Sequence, residues 1–98
     1  MTIVRHVVIR GRVQGVGFRA FVQDAAEERY LQGWVRNRRD GCVEAVFAGA
    51  PDAIASMVEA CRHGPALSRV DAVEPHEAGC DELDRRRPGE PFSQLTTV

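Results

Sequence analysis

The sequence predicts an α+β sandwich with the element order βαββαβ, and three observations carry that prediction. Apolar residues alternate over 3–13, which is the period of a half-exposed strand. They recur at helical spacing over 18–26 and again over 54–61. The runs between and after these helical stretches are short, β-branched and bounded by Gly, Pro and Asp, as strands and turns require. At 98 residues the chain has room for one core, so residues 1–98 are expected to form a single domain.

Along the first strand Ile3, Val7, Ile9 and Val13 share one face, with His6, Arg10 and Arg12 on the other. Phe18, Phe21, Val22, Ala25 and Ala26 then form the apolar stripe of a helix over 18–30. Leu31 to Asn37 reads as a second strand, Arg39-Asp40-Gly41 as a tight turn, and Cys42 to Ala48 as a third strand. Pro51-Asp52 opens a second helix, where Ile54, Met57, Val58 and Cys61 follow an i, i+3, i+4, i+7 stripe until Gly64-Pro65 stops it. Arg69 to Glu77 is a fourth strand. Residues 78–91 are polar, charged and rich in Gly and Pro, and read as a loop. Phe92 to Val98 adds a short edge strand.

Two right-handed βαβ units in this order interleave most simply as an antiparallel sheet of four to five strands with both helices on one face, the ferredoxin-like arrangement. The first and second strands then run parallel, with the third between them. Their carboxyl ends meet one edge of the sheet, so Asn37 faces the loop after strand one across two inter-strand spacings, roughly 10 Å. A phosphate plus one water fills such a gap.

Composition narrows the chemistry. The chain contains no lysine, which excludes a Schiff-base enzyme and a lysine phosphate clamp. Cys42, Cys61 and Cys80 lie 19 residues apart, which gives neither a zinc pair nor a redox motif, so buried or inert thiols in a reducing cytoplasm are expected. Arg5, His6, Arg10 and Arg12 interrupt every apolar stretch near the amino terminus, and no run reaches membrane-spanning length. Neither a secretory leader nor a membrane partner is expected. The net charge of −1 argues against a nucleic-acid partner. Residues 1–41 nevertheless carry eight arginines against four carboxylates, a basic half that suits a small anionic ligand. A solvated surface pattern is the competing reading.

The most informative run is Val7 to Arg19. A β-branched strand ends in a loop with glycines at 11, 15 and 17, which feeds directly into a helix with an arginine in its first turn. Backbone N–H groups at that junction lack intrahelical partners and have the positive end of the helix dipole behind them. This is a site for an anion, and Arg19 can reach it with a planar, permanently charged fork. The glycine spacing fits neither the dinucleotide fingerprint nor a P-loop. Glycines serving only as turn residues, and Arg19 as a solvated charge, are the bland alternative. Asn37, the only asparagine, is by the same token either a hairpin residue or a polar group aimed at the junction.

The phrases G-R-V-Q-G-V-G-F-R over 11–19 and G-W-V-R-N-x-x-D-G-x-V-E over 33–44 together resemble the two signatures of the acylphosphatase family, at the spacing that family shows. The resemblance covers residues 5–76. It implies metal-free hydrolysis of the carboxyl-phosphate bond of a small acyl phosphate to carboxylate and inorganic phosphate, with no cofactor, by a chain taken here as a monomer. Arg19 matches the family's phosphate-binding arginine and Asn37 its water-orienting asparagine. Backbone groups of Gly15, Val16, Gly17 and Phe18 match its phosphate loop. Tyr30 stands where the family commonly has a glycine, so the turn before Leu31 is expected to be strained or differently built. The segment 78–91 is longer and more charged than the family's usual link to the last strand, which 92–98 matches only loosely.

Other groups offer less. His6 lies roughly 23 Å along the strand from the loop. His63 ends the second helix, His76 sits at an exposed strand end, and no His/Cys/Asp/Glu set has metal-ligand spacing. Two rivals share the element order or the cradle: an RNA-recognition domain, which needs aromatics on its third strand where this chain has only Phe47, and a non-catalytic anion-binding module.

Overall fold

The computed structural model describes all 98 residues. The elements are β1 (Ile3–Arg12), α1 (Phe18–Glu28), β2 (Gln32–Asn37), β3 (Val43–Gly49), α2 (Pro51–His63), β4 (Arg69–Glu77), α3 (Cys80–Leu83) and β5 (Phe92–Gln94). One five-stranded sheet has the order β4-β1-β3-β2-β5. As expected, β3 lies between β1 and β2, antiparallel to both, with Ile9 opposite Val43 and Val43 opposite Asn37. This register carries the end of β1 and Asn37 to the same edge. No helix is long and apolar enough to cross a membrane.

The core follows from the alternation. Val7, Ile9, Val13, Val35, Val43, Ala45, Phe47 and Phe92 face Phe18, Val22, Ala25 and Ala26 of α1 and Ile54, Met57 and Cys61 of α2, all buried. Each large side chain so buried contributes about 1.5–3 kcal/mol of transfer free energy. Pro51 supplies a fixed φ at the start of α2, and Gly64, at φ 64°, ends it.

Helix α1 stops two residues before the expected end because Tyr30 adopts a left-handed conformation, φ 57°. The N–H of Tyr30 donates to Glu27 O at 3.1 Å and that of Leu31 to Ala26 O at 2.9 Å, a Schellman closure usually built on glycine. Of the two outcomes expected for this turn, strained or differently built, the structure shows the strained one, a left-handed tyrosine in a closure usually built on glycine.

Two expectations are corrected in the last quarter. The sheet is mixed rather than antiparallel, since β5 pairs parallel to β2, with Val35 opposite Gln94. After β4 the chain crosses the sheet face opposite α1 and α2, and re-enters at the end where β2 begins. A strand starting there must run in the direction of β2. Residues 78–91 are not all loop, because Cys80–Leu83 forms the single turn α3. That turn places Glu82 O to accept the indole N–H of Trp34 at 2.6 Å, so Trp34 is buried on the face that two helices alone would leave open. Of the thiols expected to be buried or inert, Cys42 and Cys61 are buried and Cys80 is exposed, and all three are free.

Candidate active site

Between β1 and α1 the backbone is left-handed at Gly15 (φ 75°) and Gly17 (φ 79°), and a Cβ on either would meet nothing within 4 Å. These glycines answer a conformational demand rather than a shortage of space. Gly17 caps α1 without a side-chain acceptor, and the first turn holds no acidic residue. The first amide to donate back is that of Phe21, to Gly17 O at 3.1 Å. The preceding N–H groups, from Gly15 to Ala20, are left without a backbone partner at the positive end of an 11-residue helix.

That end opens into a cavity of about 160 Å³ lined by Val13, Gly15, Gly17, Phe18, Arg19, Ala20, Asn37 and Gln94. Of the sequence-predicted residues, Gly15, Gly17, Phe18, Arg19 and Asn37 meet there. Val16 does not line it, and its side chain packs against the core instead. Most of the arginines are tied by ion pairs or hydrogen bonds, as Arg10 is to Glu74 and Arg36 to Glu44. Arg19 has neither, and it is the one arginine on the cavity wall.

Asn37 is similarly uncommitted. The turn after it is held by others: Arg38 N–H donates to Cys42 O at 2.8 Å, Gly41 N–H to Arg38 O at 3.1 Å, and Cys42 N–H to Asp40 Oδ1 at 3.0 Å. The hairpin does not use the Asn37 amide. Its backbone is fixed from outside, where Val98 N–H donates to Asn37 O at 3.2 Å and Arg39 N–H to Val98 O at 2.7 Å.

Two residues not singled out in the sequence bear on the site, Gln14 from outside the cavity lining and Gln94 on it. Gln14 donates to Arg38 O at 2.7 Å and to Cys42 O at 2.8 Å, fastening the glycine loop to the turn after Asn37. An amide inside a glycine-rich loop was its only signal. Gln94 reaches the cavity from β5, and its Nε2 donates to Gln23 Oε1 of α1 at 2.6 Å. Its placement depends on the parallel pairing of β5, which local pattern does not encode.

The histidines lie elsewhere. His6 contacts Glu44 at 2.7 Å on the sheet face away from α1, His76 stands opposite His6 on β4, and His63 faces Glu59 at 3.6 Å. No three His, Cys, Asp or Glu side chains converge in a way that could hold a metal ion. Glu44 is buried, which works to raise its pKa, but hydrogen bonds with His6 and Arg36 outweigh burial and hold it below the usual value. Phe47 of β3 is fully buried against Phe92, so the third strand offers no aromatic stacking surface.

Residues 5–86 match the model of the acylphosphatase family. An acylphosphatase of Bradyrhizobium diazoefficiens is 62% identical over 95 residues, spanning 97% of this chain and 96% of that protein. The crystal structure of acylphosphatase from Bacillus subtilis superposes with a TM-score of 0.81 at 41% identity, covering 97% of this chain and 99% of that one. Full-length HypF in its phosphate- and nucleotide-bound form superposes with a TM-score of 0.84 at 27% identity, over 99% of this chain and 12% of that much longer one.

Proposed function

Because the chain belongs to the acylphosphatase family, we propose that it hydrolyses the carboxyl-phosphate bond of small acyl phosphates through a division of labour between Arg19 and Asn37. One observation carries the reading. An unpaired guanidinium, an uncapped helix terminus and an unused amide line the same small cavity.

The bond to be broken is a mixed anhydride whose leaving group is a weakly basic carboxylate, so no general acid is demanded. What remains is to hold the phosphoryl group, neutralise its charge and place a water in line with the leaving oxygen. Arg19 and the N–H groups of Gly15, Gly17 and Phe18, which line the cavity, perform the first two tasks. The Asn37 amide both donates and accepts, which orients the water without taking its proton. That proton passes to a substrate oxygen as the P–O bond breaks. No metal or other cofactor enters this scheme. The three free cysteines support a reducing, cytoplasmic setting.

The test is turnover of acetyl phosphate and benzoyl phosphate by the pure protein. Hydrolysis unaffected by EDTA and inhibited competitively by inorganic phosphate is expected. Phosphate binding without turnover would make the chain a non-catalytic anion module, and activity lost to EDTA and restored by added metal would contradict the mechanism.

A further inference from the structure

The cavity wall divides by chemistry. Gly15, Gly17, Phe18 and Arg19 serve the phosphoryl group, Asn37 the water, and Val13 and Ala20 are apolar. One hydrogen-bonding side chain is left over, Gln94. It lies on the strand next to β2, on the same face as Asn37, since Gln94 is opposite Val35 and side chains two residues apart share a face. One amide hydrogen is spent on Gln23 Oε1 at 2.6 Å, and Gln23 sits one helical turn after Arg19. The second amide hydrogen and the carbonyl oxygen make no hydrogen bond within the chain. Gln94 is half-buried, and its conformation is fixed by α1.

The cavity of about 160 Å³ does not enclose a phosphoryl group, a water of about 30 Å³ and an aromatic acyl ring together. A bulky acyl group must therefore leave along the wall, where Gln94 is the side chain able to meet it with a polar atom. We propose that Gln94, held by Gln23, is the acyl-group contact of this site and sets its substrate class: acyl phosphates with small or polar acyl groups, in preference to those with an apolar ring. A ring laid over Gln94 displaces water from the free amide hydrogen and carbonyl and returns no hydrogen bond. A methyl group leaves water access to both. The proposal rests on the hydrolytic reading above and adds to it the group that discriminates among substrates.

The experiment compares kcat/KM for acetyl phosphate and benzoyl phosphate in the parent, Gln94→Leu and Gln94→Ala, with inhibition by inorganic phosphate measured in each. Replacing the amide by an apolar side chain should shift the benzoyl-to-acetyl ratio toward benzoyl phosphate by about tenfold, the scale of one unsatisfied polar group. The phosphate inhibition constant should stay at the parent value, because the anion is held elsewhere. Gln23→Leu, which releases Gln94 without removing it, should move the ratio in the same direction by less. An unchanged ratio in both folded Gln94 variants would overturn the proposal while leaving the hydrolytic reading intact. A phosphate inhibition constant that changes with the ratio would also overturn it, by assigning Gln94 to the anion. A parent protein that turns over neither substrate would overturn the proposal together with the reading beneath it.

Discussion

Gln14 and Arg38 are 24 residues apart in the chain and are joined by a single hydrogen bond of 2.7 Å, from the Gln14 amide to the Arg38 carbonyl. The same amide nitrogen donates to Cys42 O at 2.8 Å. One side chain thus ties the loop meant for the phosphoryl group to the turn that follows Asn37. In-line attack depends on the distance between those two parts, and a displacement of about 1 Å can cost a hundredfold in rate.

Gln14→Ala removes one of two donors from each of the Arg38 and Cys42 carbonyls, which keep the N–H groups of Gly41 and Arg38, and should destabilise the fold by about 0.5–1.5 kcal/mol in denaturant titration. In the fraction that remains folded, kcat should fall further than phosphate affinity, since the loop keeps its own amides and Arg19. A folded Gln14→Ala protein with parental kcat would show that the tie is not needed for alignment.

Arg19→Ala should lower kcat/KM by at least about 100-fold, the scale of losing one preorganised electrostatic donor, without lowering stability. Arg19 makes no hydrogen bond or ion pair through its side chain, so its removal breaks neither. Arg19→Lys should also be severely impaired, because a point charge does not reproduce a planar fork. Near-parental activity of Arg19→Lys would contradict its assignment to the phosphoryl group.

Tyr30 holds φ 57° with its side chain 93% exposed, so its ring repays little of the strain. Tyr30→Gly should stabilise the protein by about 1 kcal/mol, the usual cost of a left-handed non-glycine residue, with kcat unchanged. A loss of stability in chemical denaturation would mean that the tyrosine ring contributes packing that outweighs its backbone strain.

Glu44 titrates below its ordinary value of 4.5 because the hydrogen bonds from His6 and Arg36 overcome the opposing effect of burial. A carboxyl group whose pKa is lower folded than unfolded binds more protons in the unfolded state. Its contribution to stability is therefore complete above 4.5 and is lost as pH falls through the folded value. Unfolding free energy measured against pH should drop more steeply below that point in the parent than in Glu44→Gln. Parallel acid limbs in the two proteins would contradict this.

The legible parts of this molecule were those governed by local rules. Alternation in β1, the stripe of α1 and the Pro51 and Gly64 boundaries of α2 each repeat a period or a φ requirement that neighbouring residues reveal. The meeting of Arg19 with Asn37 was legible because β3 must lie between β1 and β2, which is a consequence of element order. What escaped was set by distant contacts. The one-turn α3 is too short to carry a helical period, and it is recognised by the Trp34 indole that needs Glu82 O. The direction of β5 was hidden because it depends on where the chain re-enters the sheet, and with it went the place of Gln94 on the cavity wall.

The central claim is that Asn37 handles the water while Arg19 and the loop handle the anion, and Asn37→Asp tests it most directly. Aspartate is nearly isosteric and a better base, but it faces the phosphoryl group with a negative charge and loses the amide donor. The measurement is kcat for benzoyl phosphate in the parent, Asn37→Ala and Asn37→Asp, with the phosphate inhibition constant taken alongside. The account predicts that both variants lose most of their turnover, and that Asn37→Ala binds inorganic phosphate as the parent does. Full activity in Asn37→Asp, or a phosphate affinity that collapses together with kcat in Asn37→Ala, would contradict it.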